Sequence, residues 1–403
     1  KSPYNNGMDA QIEALVQQLA AKMGSGLTAV YLFGSYTLPY YQPGESDINL
    51  LLVLADDADL QDLRQAFLPL WQQHGHWLRR GPWAAHASTL ARFRRLNPHF
   101  AHHLALNGRL LHTSPTFELG PLPVLDPHET YGRLATEALT ASTALLPDLL
   151  PPTVAAERHA GLRRLARQLW QKPIPKEETA VLTYARVQHV LGSKVAQLPA
   201  ARAWTNTTIP AVTAPFLPGL QALYQQGPNI VMVLANLGPQ HVRDTNWQQL
   251  KERLAEECEG LVVTTAVQLS LSLVYDNPVG LVLKNYQHSW GMNPLADLTT
   301  SRRQILRQAA TLPAAIAVAQ LPTAYLTEED GRLHTLIHDF QNRLLNIHLE
   351  HELLRRFGYT PQFIPPTPLP ERTAPLHFRI SAIMQHLDWW SDFYLDQMSQ
   401  SEA

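Results

Sequence analysis

Apolar residues recur at helical spacing over residues 9–23, at Ile12, Leu15, Val16 and Leu19, with Asp9 placed to cap the helix N-terminus. The stretch LTAVYLF from Leu27 predicts a short buried strand, closed by Gly34-Ser35. DINLLLVLA, from Asp47, predicts a second strand, too apolar for a sheet edge. A helix is expected from near Asp57, then a third strand over WAAHAS from Trp83. HFAHHLALNG predicts a short helix ended by Gly108, and RLLHTS a last strand. Strands mixed with helices over residues 1–125 predict a compact α/β domain, with a small mixed sheet flanked by helices.

Beyond about Pro127 the strand signals fade. Helical patterns are expected over 128–146, 153–171, 177–197, 246–275, 300–320 and 328–357, broken by proline clusters such as Pro151-Pro152 and Pro210–Pro218. A proline-rich connector over 361–375 precedes a final helix. The expected division is an α/β domain over 1–125 and a mostly α-helical region after it. That region comprises a helical domain over 126–275, a helical extension over 276–360, and a proline-rich arm with the last helix over 361–403. No repeat of fixed period is visible.

Composition narrows the setting. A chain of 403 residues is too long for one core. Lys+Arg 32 against Asp+Glu 34 leaves a net charge of −2, too near zero to draw a nucleic acid or a membrane to the whole protein. One cysteine, Cys258, precludes an intrachain disulfide and fits a reducing compartment. No apolar run reaches the roughly 20 residues that span a bilayer. The N-terminal stretch lacks an apolar signal core. A cytoplasmic protein without a membrane partner is expected.

The chemistry-bearing stretch is LFGSYTLPYYQPGESDINLLLV, Leu32 to Val53. Gly34 lets backbone approach a phosphate closely and Ser35 supplies a hydroxyl. Positions 47 and 49 are i and i+2 on one strand and share a face, where paired carboxylates would hold a divalent metal against that phosphate. Gly34-Ser35, an eleven-residue spacer, then Asp47-Ile48-Asn49 resembles the nucleotidyltransferase superfamily, which includes DNA polymerase beta-like and minimal bacterial enzymes. The resemblance covers residues 9–115. It implies a small mixed sheet flanked by helices, Mg²⁺ or Mn²⁺ with a nucleoside triphosphate, and transfer of a nucleoside monophosphate to a hydroxyl. It implies that Gly34, Ser35 and Asn49 hold nucleotide and that Asp47 holds metal and serves catalysis.

The departures from that pattern are as informative. Asn49 stands where the family has a second acid, and an amide carries no charge. No Asp or Glu occurs from Leu63 to Phe117, where the third acid would lie. His86, on the expected third strand, is the candidate base in its place, with Asp126 and Glu129 the nearest later acids. The expectation is a family fold with an eroded metal site, acting by binding a nucleotide or polyanion or as a scaffold. The alternative is an active nucleotidyltransferase completed from elsewhere.

The same acid-free window holds seven arginines, Arg64, Arg79, Arg80, Arg92, Arg94, Arg95 and Arg109. Arginine pairs bidentately with phosphate, so Arg79, Arg80, Arg92, Arg94 and Arg95 are candidates for a nucleotide or nucleic acid. The competing account pairs them with acids of the helical region. Arg343 and His348 have the Arg-x4-His spacing of the HEPN ribonucleases, a further alternative, although the apolar face of their helix accounts for most of that segment. The length of the helical region suggests a protein partner or a second copy of the chain. The pairs His74/His76, His102-His103 and His348/His351 lack the three or four ligands of a zinc site.

Overall fold

A computed structural model describes residues 6–42, 46–125, 134, 138, 152–194, 219–226, 229–238, 244–254, 260–266, 268–269, 287–293, 302–356, 368–371 and 373–400. The chain forms two compact units. Unit 1 comprises residues 1–125 and 305–403, and unit 2 comprises 126–304.

Unit 1 begins with α1 (Asn6–Met23), β1 (Leu27–Phe33), a 3-10 turn over Gly34–Thr37, and β2 (Asn49–Leu54). α2 (Leu60–Leu78), β3 (Trp83–His86), α3 (Ala87–Leu96), α4 (Pro98–Asn107) and β4 (Arg109–Thr113) follow. The sheet order is β3-β2-β1-β4. β1 runs antiparallel to β2 and β4, while β2 and β3 are parallel. Both central strands are apolar because both faces are covered. Leu27, Val30, Leu32, Leu50, Leu52 and Leu54 meet α1 and α2 through Ile12, Leu15, Phe67 and their neighbours. Ala29, Tyr31, Phe33, Leu51 and Val53 face α3, α4 and the C-terminal helices. Asp59 starts α2 by accepting from the Gln61 N–H at 2.8 Å.

Unit 2 carries α5 (Pro152–Trp170), α6 (Ala180–Lys194), β5 (Leu220–Gln226), β6 (Asn229–Leu234), α7 (Trp247–Leu254), β7 (Gly260–Thr265) and β8 (Gln287–Gly291). Its four strands are ordered β7-β6-β5-β8, with β5 antiparallel to β6 and β8 and parallel pairing between β6 and β7. The expected helical domain over 126–275 is thus corrected: a four-stranded mixed sheet occupies 220–291. Short apolar runs such as NIVMVL and GLVVTT carry no period that separates strand from buried helix. A buried polar network joins the sheet to α6. Tyr184 donates to Val263 O and Gln268 Oε1 at 2.5 and 2.6 Å, and Thr265 Oγ1 to Gln188 Oε1 at 2.9 Å. Burial pushes the Tyr184 phenol well above its ordinary range.

The chain returns through α8 (Arg302–Ala315), a π-helical turn over Ile316–Gln320, α9 (Leu321–Thr327), α10 (Asp330–Arg356) and α11 (Leu376–Gln400). From Ile305 onward these elements belong to unit 1 and complete the core on the second face of its sheet. The stretch Ala309–Thr327 is long and apolar enough to cross a membrane, but Ile316, Val318, Leu321 and Leu326 are buried inside unit 1. Of the expected helix 128–146, the structure describes only Leu134 and Ala138, both helical; Asp126, Glu129, Cys258 and most of the proline-rich stretch lie outside the described residues.

Candidate functional site

The turn after β1 is built by Gly34. Its φ of +81° is left-handed, and a methyl group there would stand 2.5 Å from the Asn49 Nδ2. The Asn49 amide therefore lies over the glycine, at the first residue of β2, paired across the strands with Phe33. Thr37 Oγ1 donates to the Gly34 carbonyl at 2.9 Å and holds the turn. Tyr36 anchors it to α1 by donating to Asp9 Oδ1 at 3.0 Å, and burial with that carboxylate pushes the phenol well above its ordinary range. Ser35 beside it is half-buried.

Asp47 stands two residues ahead of Asn49. Its Oδ2 is 3.0 Å from the Arg80 Nε, and the Asp47 side chain is 20% exposed against 60% for Arg80. The end of α2 brings these groups together. Arg79 takes a left-handed φ of 66° as the helix cap, its N–H donating to Gly75 O at 2.9 Å. The Ile48 N–H reaches the Leu78 carbonyl at 3.4 Å, so the chain before β2 is tied to the same helix end. An ion pair this open is worth at most about 1 kcal/mol, so it does not by itself exclude a metal. The donor set weighs more. One carboxylate, already paired with a guanidinium, and an amide turned over Gly34 do not fit a Mg²⁺ or Mn²⁺ site, which needs charged oxygens converging on the ion. Among the described residues no group of three or more His, Cys, Asp or Glu is arranged to hold a metal.

His86 is not part of this arrangement. Its register partner is Leu54, at the far end of β2 from Asn49 and Asp47. Seven residues of extended chain separate the two ends, roughly 20 Å. The His86 Nε2 lies 2.9 Å from the Ala58 carbonyl. A base at His86 for chemistry at Asp47 is thereby corrected by the parallel pairing of β2 and β3. At that far end an open cavity of about 550 Å³ is lined by Asp56, Asp57, Asp59, His86 and Asp388. Sequence reading did not anticipate it, because Asp388 arrives from α11. Three of its acids have structural work: Asp56 accepts from the Ser88 N–H, Asp59 caps α2, and Asp388 accepts from Thr89 Oγ1.

The arginine-rich stretch divides in two. Arg64, Arg92, Arg94 and Arg109 serve unit 1 itself. Arg64 reaches Tyr325 O, Glu328 O at 2.9 Å and Asp330 at 2.7 Å. The Arg92 Nε donates to Asp392 at 2.7 Å, with Asp388 at 3.6 Å. Arg94, buried, donates to the carbonyls of Gly120 and Pro121, and Arg109 to Asp9 at 3.1 Å. The candidates Arg92 and Arg94 are thus committed within the fold, to α11 and to the segment after β4. Arg79, Arg80 and Arg95 remain exposed, and Arg80 is the one shown against Asp47.

No family model matches this chain, and no curated protein matches it.

The ribonuclease pair is not assembled. Arg343 is exposed and donates to Gln320 Oε1 at 2.6 Å, while the His348 ring packs 5.1 Å from Trp390 and 6.0 Å from His386. Burial, with His386 and His351 adding to it, pushes His348 down to about 4 from an ordinary 6.5. The unfolded chain then binds this proton more readily than the folded one. The stabilisation is complete above about pH 6.5 and is lost as pH falls toward 4. The melting temperature of unit 1 is expected to drop over that window, and His348→Gln to flatten the drop. A His348→Gln chain with an unchanged acid profile would show that other groups control it.

Proposed function

We propose that this chain is a nucleotidyltransferase-like protein without a working metal site, which binds a phosphate-bearing ligand, a nucleotide first, rather than transferring one. The observation that carries this reading is the partner of Asp47: a guanidinium, Arg80, at 3.0 Å, in place of a second carboxylate. Metal-assisted transfer needs neutralisation of charge on the attacking and leaving oxygens, and one carboxylate held by a cation cannot assemble that. Binding needs less. The Ser35 hydroxyl in the turn after β1 and the exposed guanidinium of Arg80, whose open ion pair with Asp47 a phosphate can displace, offer a hydroxyl and positive charge within one small region, beside a Gly34 face that the Asn49 amide fills. The half-buried Ser35 and the exposed Arg79 and Arg80 support a nucleotide more than a long nucleic acid, because Arg92 and Arg94 are withdrawn into the fold. A cytoplasmic setting is part of the proposal, since the single cysteine suits a reducing compartment.

The test is label transfer. The protein is incubated with each α-labelled nucleoside triphosphate and Mg²⁺ or Mn²⁺, with RNA, DNA and the protein itself as acceptors. No transfer above a protein-free blank is expected. Transfer that disappears in Asp47→Ala would overturn the reading and reveal a site completed by groups from elsewhere.

A further inference from the structure

We infer that the chain carries one sheet-building fold twice, and that the ligand site belongs to the first copy alone. The two sheets agree pair by pair. β1 meets β2 from Leu27↔Leu54 to Phe33↔Asn49, and β5 meets β6 from Leu220↔Leu234 to Gln226↔Asn229. The register shifts fall at the same places, between Leu27 and Ala29 and between Leu220 and Ala222. The fourth strands repeat this, with shifts between Val30 and Tyr31 and between Leu223 and Tyr224. The parallel partners also match: Leu54 meets His86, and Leu234 meets Thr265. Aligned on these pairs, Leu27, Ala29, Tyr31, Asn49, Val53 and Leu54 meet identical residues at 220, 222, 224, 229, 233 and 234. The faces correspond as well. Ala222, Tyr224, Val231 and Val233 share one cluster, as Ala29, Tyr31, Leu51 and Val53 share another. Strand order alone is a coarse likeness, but bulges at matched positions are not required to close a four-stranded sheet.

The difference between the copies lies where the ligand would sit. Residues 34–48 join β1 to β2, whereas Gly227 and Pro228 alone join β5 to β6, between equivalent strand ends. A two-residue link is enough to reverse such a pair. The longer segment, which brings Ser35 and Asp47, is therefore an addition to the sheet rather than its means of closure. The same alignment sets Glu259 opposite Arg80 and Gln287 opposite Arg109. The second copy has lost the loop and its acid, and carries negative charge in sequence where the first carries the exposed guanidinium. Asn229 holds the same strand position as Asn49 in a copy with no such loop, so an amide there suits a sheet without a metal. This inference rests on the proposed function for its ligand and on the strand registers for the duplication.

The experiment is equilibrium dialysis of the full chain against α-labelled ATP in EDTA, with Arg80→Glu and Glu259→Arg alongside. One nucleotide per chain is expected, with affinity reduced at least about tenfold by Arg80→Glu and unchanged by Glu259→Arg. Two nucleotides per chain, or affinity set by position 259 instead of 80, would overturn the single-site inference. Complete absence of binding overturns the proposed function and the ligand half of this inference. The duplication is read separately, from one chain with residues 34–48 replaced by Gly-Pro and another with residues 34–48 grafted between Gln226 and Asn229. Cooperative melting of either chain, with the β-sheet circular dichroism retained, is the expected result. The replaced chain should melt lower, because Tyr36, Tyr40 and Ile48 are buried in the first copy. Loss of cooperative melting in both would overturn the equivalence of the two strand pairs.

Discussion

The Arg64→Ala chain is expected to melt roughly 6–10 °C below the native protein, from a loss of about 3 kcal/mol in unit 1. Arg64 leaves α2 with a side chain only 11% exposed and ends on the last turn of α9, donating to the carbonyls of Tyr325 and Glu328. Carbonyls at a helix C-terminus have no partner within the helix and carry the negative end of its dipole. A guanidinium answers both needs, and it also lies over the Tyr325 ring at 5.1 Å from the centroid. Its ion pair with Asp330 adds little, because that carboxylate is 81% exposed. Two comparisons separate these contributions. Arg64→Lys should recover only part of the loss, since an ammonium lacks the planar fork that spans two carbonyls. Asp330→Ala should cost less than about 1 kcal/mol. Thermal melts of the three variants decide the matter. An Arg64→Ala chain as stable as the native one would mean that the α9 terminus finds other donors.

The double variant Asn49→Asp with Arg80→Ala should bind Mn²⁺ at least about tenfold more tightly than the native chain, a gain of about 1.4 kcal/mol. Positions 47 and 49 are two residues apart at the entry to β2, and the substitution places a second carboxylate beside the first while removing its guanidinium partner. Two carboxylates provide the charge that the native set lacks. Titration of free Mn²⁺ by electron paramagnetic resonance measures the change, with each single variant as a control. Nucleotide transfer is not expected to return, because β3 brings no acid to this end of the sheet: WAAH occupies the strand and Arg79-Arg80 precede it. Native affinity equal to that of the double variant would show that Asp47 already holds metal with help from another group, and would undercut the reading of an eroded site.

Much of unit 1 was legible along the chain. The helix over 9–23, the strand from Leu27, the glycine turn and the strand into Val53 all follow from local periodicity, and the structure builds each. Three of the last four helices were legible for the same reason, since long amphipathic segments carry several turns of signal, whereas the seven-residue α9 falls between the helices expected over 300–320 and 328–357. The sheet of unit 2 was not. Its strands are five to seven residues long, and an apolar run such as NIVMVL has no period that distinguishes a strand from a buried helix. The duplication was hidden for a related reason. It is a match of hydrogen-bonded pairs, with 15 residues in one linker and two in the other, so no fixed spacing exposes it.

The same division runs through the candidate site. Gly34, Ser35, Asp47 and Asn49 stand close together in the chain, and their spacing within a strand-turn-strand pattern was enough to gather them. The fate of each charged partner was decided by residues distant in sequence. Arg80 lies 33 positions beyond Asp47 and reaches it only because α2 ends in a left-handed cap beside the start of β2. His86, 39 positions beyond Asp47, was carried to the far end of β2 by the parallel register. Arg92 and Arg94 looked like a phosphate surface until α11 and the carbonyls of Gly120 and Pro121 claimed them. By itself the sequence determined most of the helices and strands in unit 1, though not α3 or α9, and that one acid, one amide and one glycine turn share a small region, because backbone geometry and periodicity are local. Only the tertiary structure decided which cations and acids face one another, because charges pair through space, at distances set by strand register and helix ends.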